Sequence, residues 1–185
     1  KVIRNESVLT FLINVMACPL YDADFDGDQM NIYIHTSAAT RSEVSDLSKA
    51  SNWLVSHSYS DPLIGQVDDS VIGLFILTRS DVRFDKRHMI NLFANCKYFP
   101  TFDPAKTLYT GRDAITEVLR PTPVTFFRKP SYYQPDRQKA GHMQYDPSEI
   151  AVEIIEGVHK RGVLDKASIG KGSPGSLHHI IAHEY

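Results

Sequence analysis

Cysteine is scarce in this 185-residue sequence: Cys18 and Cys96 are the only two, far apart and without a CxxC pair. That spacing argues against a zinc ribbon or a disulfide framework, and two lone thiols fit a reducing intracellular setting. Long apolar runs are missing as well; none approaches the roughly 20 residues needed to span a bilayer. No basic segment followed by an apolar stretch opens the chain, so no signal peptide is read there. A basic excess is also lacking. Lys plus Arg number 20 against 22 Asp plus Glu, a net charge of −2, whereas a stand-alone nucleic-acid-binding domain carries a clustered basic face. Any phosphate contacts are therefore expected from elsewhere in a larger molecule. The chain opens at Lys1 and closes at Tyr185 within an apolar, helix-like run, so both ends read as cut from something longer. The expected setting is intracellular and away from membranes.

What is present is a globular composition, 42% hydrophobic and 10% aromatic, with mixed local patterning. Val8 to Val15 is β-branched and apolar and is stopped by Pro19, which predicts a strand. Asn31 to His35 alternates polar and apolar and predicts a second. Thr36 or Ser37 is placed to cap a helix with Val44 and Leu47 on its inner face. Ser56 to Pro62 reads as a turn-rich loop, and Gln66 to Thr78 as a helix apolar almost all round, hence buried. Asp85 is placed to cap a helix through Leu92 and Phe93. From Asn95 to Tyr145 prolines and aromatics crowd together, which predicts extended chain and loop around one short helix, Arg112 to Leu119. Ala151–Ile155 and Gly162–Ala167 are expected to pair as strands. Gly170 to Gly175 reads as a loop, with Pro174 in the first turn of a last helix from Gly175 onward.

The chemistry concentrates in Asp22 to Met30. Asp22, Asp24, Asp26 and Asp28 occupy alternate positions, and Gly27 stands between the last two. In an extended segment alternate side chains share a face, and so many carboxylates repel unless a cation neutralises them. Oxygen ligands at this density suit a hard cation, Mg²⁺ or Ca²⁺. Gly27 allows the sharp turn that would bring Asp28 back toward its predecessors. A solvated acidic turn explains the aspartates but not the interleaved Tyr21, Phe25 and Met30. An EF-hand explains the D-x-D-x-D-G opening, but its twelfth position requires a bidentate Glu and holds Tyr33.

Asp24, Phe25, Asp26, Gly27, Asp28, Gln29 and Met30 resemble, letter for letter, the active-site signature of the largest subunit of cellular and viral RNA polymerases. Asp22 departs from it, since the family has Asn there, a residue that helps read ribose hydroxyls. The resemblance continues in order: Val8 to Tyr21 before the loop, then Ser56 to Gly73, where Asp69 falls on a family Asp and Asp68 replaces Gln. Leu77 to Arg79, Gly111 with Arg112, and Gly162 to His183 follow, while Lys97 to Tyr145 matches loosely. The likeness is closer to eukaryotic-type and large DNA-virus enzymes than to bacterial ones.

The resemblance implies an α+β fold, with residues 1–36 forming the C-terminal part of a double-psi β-barrel that bears the acidic loop. Residues 37–185 would form a mixed helix and strand pore and funnel region. It implies ribonucleotidyl transfer to the RNA 3′ end, with Asp24, Asp26 and Asp28 as catalytic metal ligands, Asp22 near the substrate and Gly27 as the structural turn. One Mg²⁺ would be held permanently and a second would arrive during catalysis. Implied partners are the second-largest and other polymerase subunits, template DNA, product RNA and nucleoside triphosphates. The location would be the nucleus, or the cytoplasm or virion for a viral protein, and the excised chain would be inactive. The alternative is a non-catalytic interaction module, a funnel surface that docks transcription factors or inhibitors.

Three other features are weaker. His179 and His183 share a helical face with His178 and Glu184 nearby, but Ile180 stands where the metalloprotease order needs Glu, and two ligands do not make a zinc site. Gly170–Gly175 lacks the phosphate-loop spacing. Phe126–Arg137 mixes aromatic and basic residues, yet a packed, proline-bearing loop explains it better than a stacking surface. No zinc is expected.

Overall fold

Two capping signals, at Asp85 and Thr110, set the frame of the helical part of the chain. Asp85 accepts from His88 N at 2.9 Å and starts one helix. Thr110 and Asp113 close a reciprocal capping box at the start of another. The computed structural model describes residues 7, 9–96, 99–103, 105–129, 146, 149 and 151–185. It is an α+β chain that divides into two compact units, Lys1–Gly65 and Gln66–Tyr185. No helix among the described residues is long and apolar enough to cross a membrane.

In the second unit the helices are α3 (Asp69–Leu77), α4 (Lys86–Leu92), α5 (Gly111–Leu119), α6 (Lys166–Ile169) and α7 (Leu177–Glu184). The strands are β1 (Phe84–Asp85), β2 (Leu108–Tyr109), β3 (Phe126–Arg128), β4 (Val152–Ile155) and β5 (Val158–Arg161). β1 pairs antiparallel with β2, and β3-β4-β5 form an antiparallel sheet. Phe126 lies opposite Ile154 and Arg128 opposite Val152. The larger core joins Ile115 and Leu119 of α5 to Val124, Phe126, Val152, Ile154, Leu164, Ile169 and Leu177. A smaller one joins Met89, Phe93, Tyr109 and Ala114. Because Ala114 and Ile115 face different cores, α5 serves both.

Gly111 and Gly157 are among the glycines of this unit that are sterically required. A Cβ on Gly111 would lie 1.8 Å from the Leu77 carbonyl oxygen, so the start of α5 abuts the end of α3 at backbone contact. Glu156 (φ 49°) and Gly157 (φ 77°) form a two-residue turn with both φ positive, matching strand twist and joining β4 to β5. Beside Gly111, the fully buried Thr78 donates from Oγ1 to the Leu74 carbonyl at 2.8 Å. The same oxygen accepts from Leu164 N at 2.9 Å.

The first unit holds α1 (Cys18–Tyr21), α2 (Ala38–Leu47) and short 3-10 turns at Val15–Ala17 and Ala50–Asn52. Cys18, Pro62 and Gly65 are its buried residues among those described. Trp53 Nε1 donates to the Leu47 carbonyl at 2.7 Å and Asn52 Nδ2 to that of Asp46 at 2.6 Å, closing the free end of α2.

Several expectations are corrected. Among the described residues neither Val8–Val15 nor Asn31–His35 forms a strand. Strand assignment requires ladder bonds to a partner, and Ile32, Tyr33 and Ile34 stand 74–79% exposed without one. Leu47 is exposed, so Val44 alone is half-buried on α2. α3 forms but is covered on one side only: Leu74 packs on the larger core while Ile72 and Ile76 face outward. The hairpin partner of β4 is Val158–Arg161 rather than Gly162–Ala167, because the turn sits at Glu156–Gly157. Pro174 precedes the last helix, which Ser176 caps by accepting from His179 N at 3.2 Å.

Candidate functional site

The acidic loop grows out of α1. Pro19 fits the first turn of that helix, where its missing N–H costs nothing, and Asp22 ends it in the left-handed conformation (φ 49°, ψ 41°). Ala23 N then donates to the Cys18 carbonyl at 3.2 Å. Asn and Asp are the side-chain-bearing residues that adopt this conformation most readily, so Asp22 has a backbone role at the position where the resembling family carries Asn.

Beyond Asp22 the chain bends rather than running extended. Asp24 N donates to Asp28 Oδ2 at 2.8 Å, drawing the two ends of the loop together. Phe25 N donates to Asp24 Oδ1 at 2.7 Å. Gly27 sits at φ 122° with open space where a Cβ would be, so its backbone conformation, not crowding, requires glycine.

Asp22, Asp24, Asp26 and Asp28 are all exposed. The structure brings Asp24 and Asp28 into one hydrogen-bonded loop and leaves Asp26 at its bend. It does not converge the carboxylates: among the described residues no three His, Cys, Asp or Glu side chains form a metal-holding group. In water, like charges gain by staying separately solvated. The donor set is nonetheless all oxygen, which fits a hard cation such as Mg²⁺ and not zinc. Beside the loop lies a cavity of about 560 Å³ walled by Asp28, Gln29 and Met30 and, across from them, by Leu9, Thr10 and Phe11. That is space on the scale of a small-molecule site.

The other features fall elsewhere. His179 and His183 lie on successive turns of α7 with ring centroids 4.4 Å apart and gather no third ligand among the described residues. Gly170–Gly175 is a wound loop in which Ser173 Oγ donates to the Lys166 carbonyl at 2.9 Å. Phe126 is buried in the larger core, and residues 130–137 lie outside the described residues.

Sequence reasoning missed a buried polar pair. His159 on β5 is 5% exposed, with Nε2 at 3.1 Å from the Arg161 carbonyl. Burial, with the Arg112 guanidinium second, pushes its pKa down to about 4. Among the described residues His159 Nδ1 and Arg112 Nε and Nη2 are buried without partners. No spacing signal links positions 112 and 159, and a lone His beside Lys160 and Arg161 reads as surface. Asp113 differs: burial alone would raise its pKa, but Lys106 at 2.8 Å and Thr110 outweigh that and hold it below the ordinary value.

Comparison with known proteins bears on this loop. Residues 53–185 match the family described as RNA polymerase Rpb1, domain 3, and residues 1–50 match RNA polymerase Rpb1, domain 2. The chain therefore belongs to the family of largest subunits of DNA-directed RNA polymerase. Among its relatives is the DNA-directed RNA polymerase RPB1 homolog of African swine fever virus, 36% identical over 193 residues that take in the whole chain. Another is the DNA-directed RNA polymerase subunit Rpo1N of Thermoplasma acidophilum, 30% identical over 178 residues and 93% of the chain. The chain spans 13% of the length of the viral protein and 20% of the other.

Proposed function

We propose that this chain carries the metal-binding loop of the catalytic subunit of a DNA-directed RNA polymerase, and that it serves template-directed addition of ribonucleotides to the RNA 3′ end. The observation that carries the reading is Asp24-Phe25-Asp26-Gly27-Asp28 on an exposed bend beside a ligand-sized cavity, in a chain of this family. Asp24, Asp26 and Asp28 would hold Mg²⁺ through their carboxylates. Mg²⁺ held there, with a second ion arriving with the nucleotide, would supply a lowered pKa for the attacking hydroxyl, from one of the two, and neutralisation of charge on the transferring phosphate. Gly27 supplies the turn between two ligands, and the Asp24 N–H orients Asp28. Asp22 lies two residues before the ligand run, where its carboxylate accepts from a ribose hydroxyl but cannot donate as an amide does.

In this reading residues 1–36 belong to the C-terminal part of a double-psi barrel and residues 37–185 to the pore and funnel region. Exposed Leu9, Ile32, Tyr33 and Ile34 support it, since barrel strands bury such side chains once their neighbours are present. The partners are the second-largest and other polymerase subunits, template DNA, product RNA and nucleoside triphosphates. The setting is intracellular: the nucleus, or the cytoplasm or virion for a viral enzyme. The excised chain is expected to be inert.

The test is primer extension by the parent polymerase reconstituted with Asp24→Ala, Asp26→Ala or Asp28→Ala, with subunit assembly checked alongside. Each variant should lose at least about a hundredfold in nucleotide addition, the scale of removing one electrostatic stabiliser. Full activity in all three would sink the assignment. The second reading, an interaction module, is favoured by the outward Ile72 and Ile76 of α3. It predicts that the alanine variants keep nucleotide addition and that Ile72→Ser with Ile76→Ser loses a bound factor.

A further inference from the structure

The second unit holds a cavity of about 480 Å³ whose two walls differ in chemistry. Val67, Val71 and Ile72, at the start of α3, make one wall apolar. The other is the loop after α6, Gly170 to Ser173, together with Lys166. That loop is held by Gly170 N donating to the Lys166 carbonyl at 2.9 Å and by the Ser173 hydroxyl donating to the same oxygen. A Cβ on Gly170 would approach that oxygen to 2.5 Å, so only glycine permits the winding, whereas Gly172 has open space around it.

Two lysines and Asp68 line the cavity, a formal balance of +1 from two cations and one anion. Burial lowers the pKa of Lys171, so its charge is partly stripped of water. Gln66 also lines the cavity, and its Oε1 has no hydrogen-bond donor among the described residues. Asp68 starts α3 at φ 45°, ψ −115° with no capping bond from its side chain, a strained conformation for a residue with a Cβ.

We propose that this cavity binds a small amphipathic anion, its apolar body against Val67, Val71 and Ile72 and its carboxylate or phosphate head at Lys166 and Lys171. The volume lies within the range of small-molecule sites, and the lining has their usual make-up: mostly apolar, with a few charged groups that fix orientation. The site is made by the second unit alone and does not depend on the metal-loop reading.

The experiment uses the full subunit assembled in its polymerase, titrated in magnesium-free buffer with 2-naphthoate and with 2-naphthyl phosphate, bound probe being read by equilibrium dialysis. One saturable site is expected, weakened about tenfold by Lys171→Gln, the scale of one charge-assisted hydrogen bond. Asp68→Asn should tighten binding by removing the like charge, and Ile72→Trp should abolish it by filling the apolar wall. Whichever probe binds more tightly assigns the head group. No saturable binding, or an affinity unchanged in both Lys171→Gln and Ile72→Trp, overturns the proposal. Binding by the free subunit that vanishes on assembly also overturns it, since another segment of the enzyme would then fill the cavity.

Discussion

The two units of this chain divide its apolar residues in opposite ways. In the second, Val152, Ile154 and Leu164 are wholly buried and belong to a core that also takes in the buried faces of α5, α6 and α7. In the first, Leu9, Phe11, Ile32, Tyr33 and Ile34 stand in solvent, and Cys18 is the one buried hydrophobic side chain of substance among the described residues. A unit that buries its large side chains offsets its own ordering entropy, and one that exposes them does not. The acidic loop belongs to the second kind of architecture. Its backbone is set by local bonds and by Gly27, and little packing holds it.

That contrast can be broken at graded cost. Gly111→Ala should be the most damaging change, about 4 kcal/mol or more in a denaturant melt, because its Cβ overlaps the Leu77 carbonyl and neither backbone can yield cheaply. Acid should come next. His159 has a folded pKa of about 4 against an ordinary 6.5, so the folded state binds fewer protons. Its contribution is complete above about pH 6.5, is lost as pH falls toward 4, and totals about 3 kcal/mol. A melt series across that window checks it, and His159→Leu should flatten the slope. Asp113, held below its ordinary 3.8, contributes its own loss only at still lower pH, so the two are separable. Thr78→Val should cost about 2 kcal/mol by leaving the Leu164 amide without its acceptor. At the small end, Ile32→Ala should change stability by less than about 0.5 kcal/mol, whereas Ile154→Ala costs about 3. Equal effects at those two positions would erase the contrast.

Much of the second unit is legible from local signals. Asp85 marks a helix start because a cap is a contact within four residues, and that cap forms, whereas the Thr110 capping box is missed in the sequence and its helix begins at Gly111, one residue before the expected Arg112. Of the acidic loop, the turn at Gly27 is legible as a run of letters, and the bend forms there. Where reading fails, the cause is non-local. Val8–Val15 and Asn31–His35 have strand-like composition, but pairing depends on partners that composition cannot supply. Gly162–Ala167 reads as a strand because Val163 and Leu164 are apolar; they are buried as extended chain feeding α6, while Glu156–Gly157 turns the hairpin earlier than a weak turn signal suggests. α3 is apolar on every side, which reads as burial, yet only one side is covered. The Arg112–His159 neighbourhood and the cavity between Val67 and Ser173 join positions tens of residues apart, beyond any window of pattern.

The hydrogen bond from Leu164 N to Thr78 joins residues 86 positions apart. On a ribosome adding roughly 5–20 residues per second, α3 waits several seconds or more for that partner. Through that interval the apolar face of α3 that later rests on the larger core stays open, a window in which a nascent-chain chaperone has something to hold.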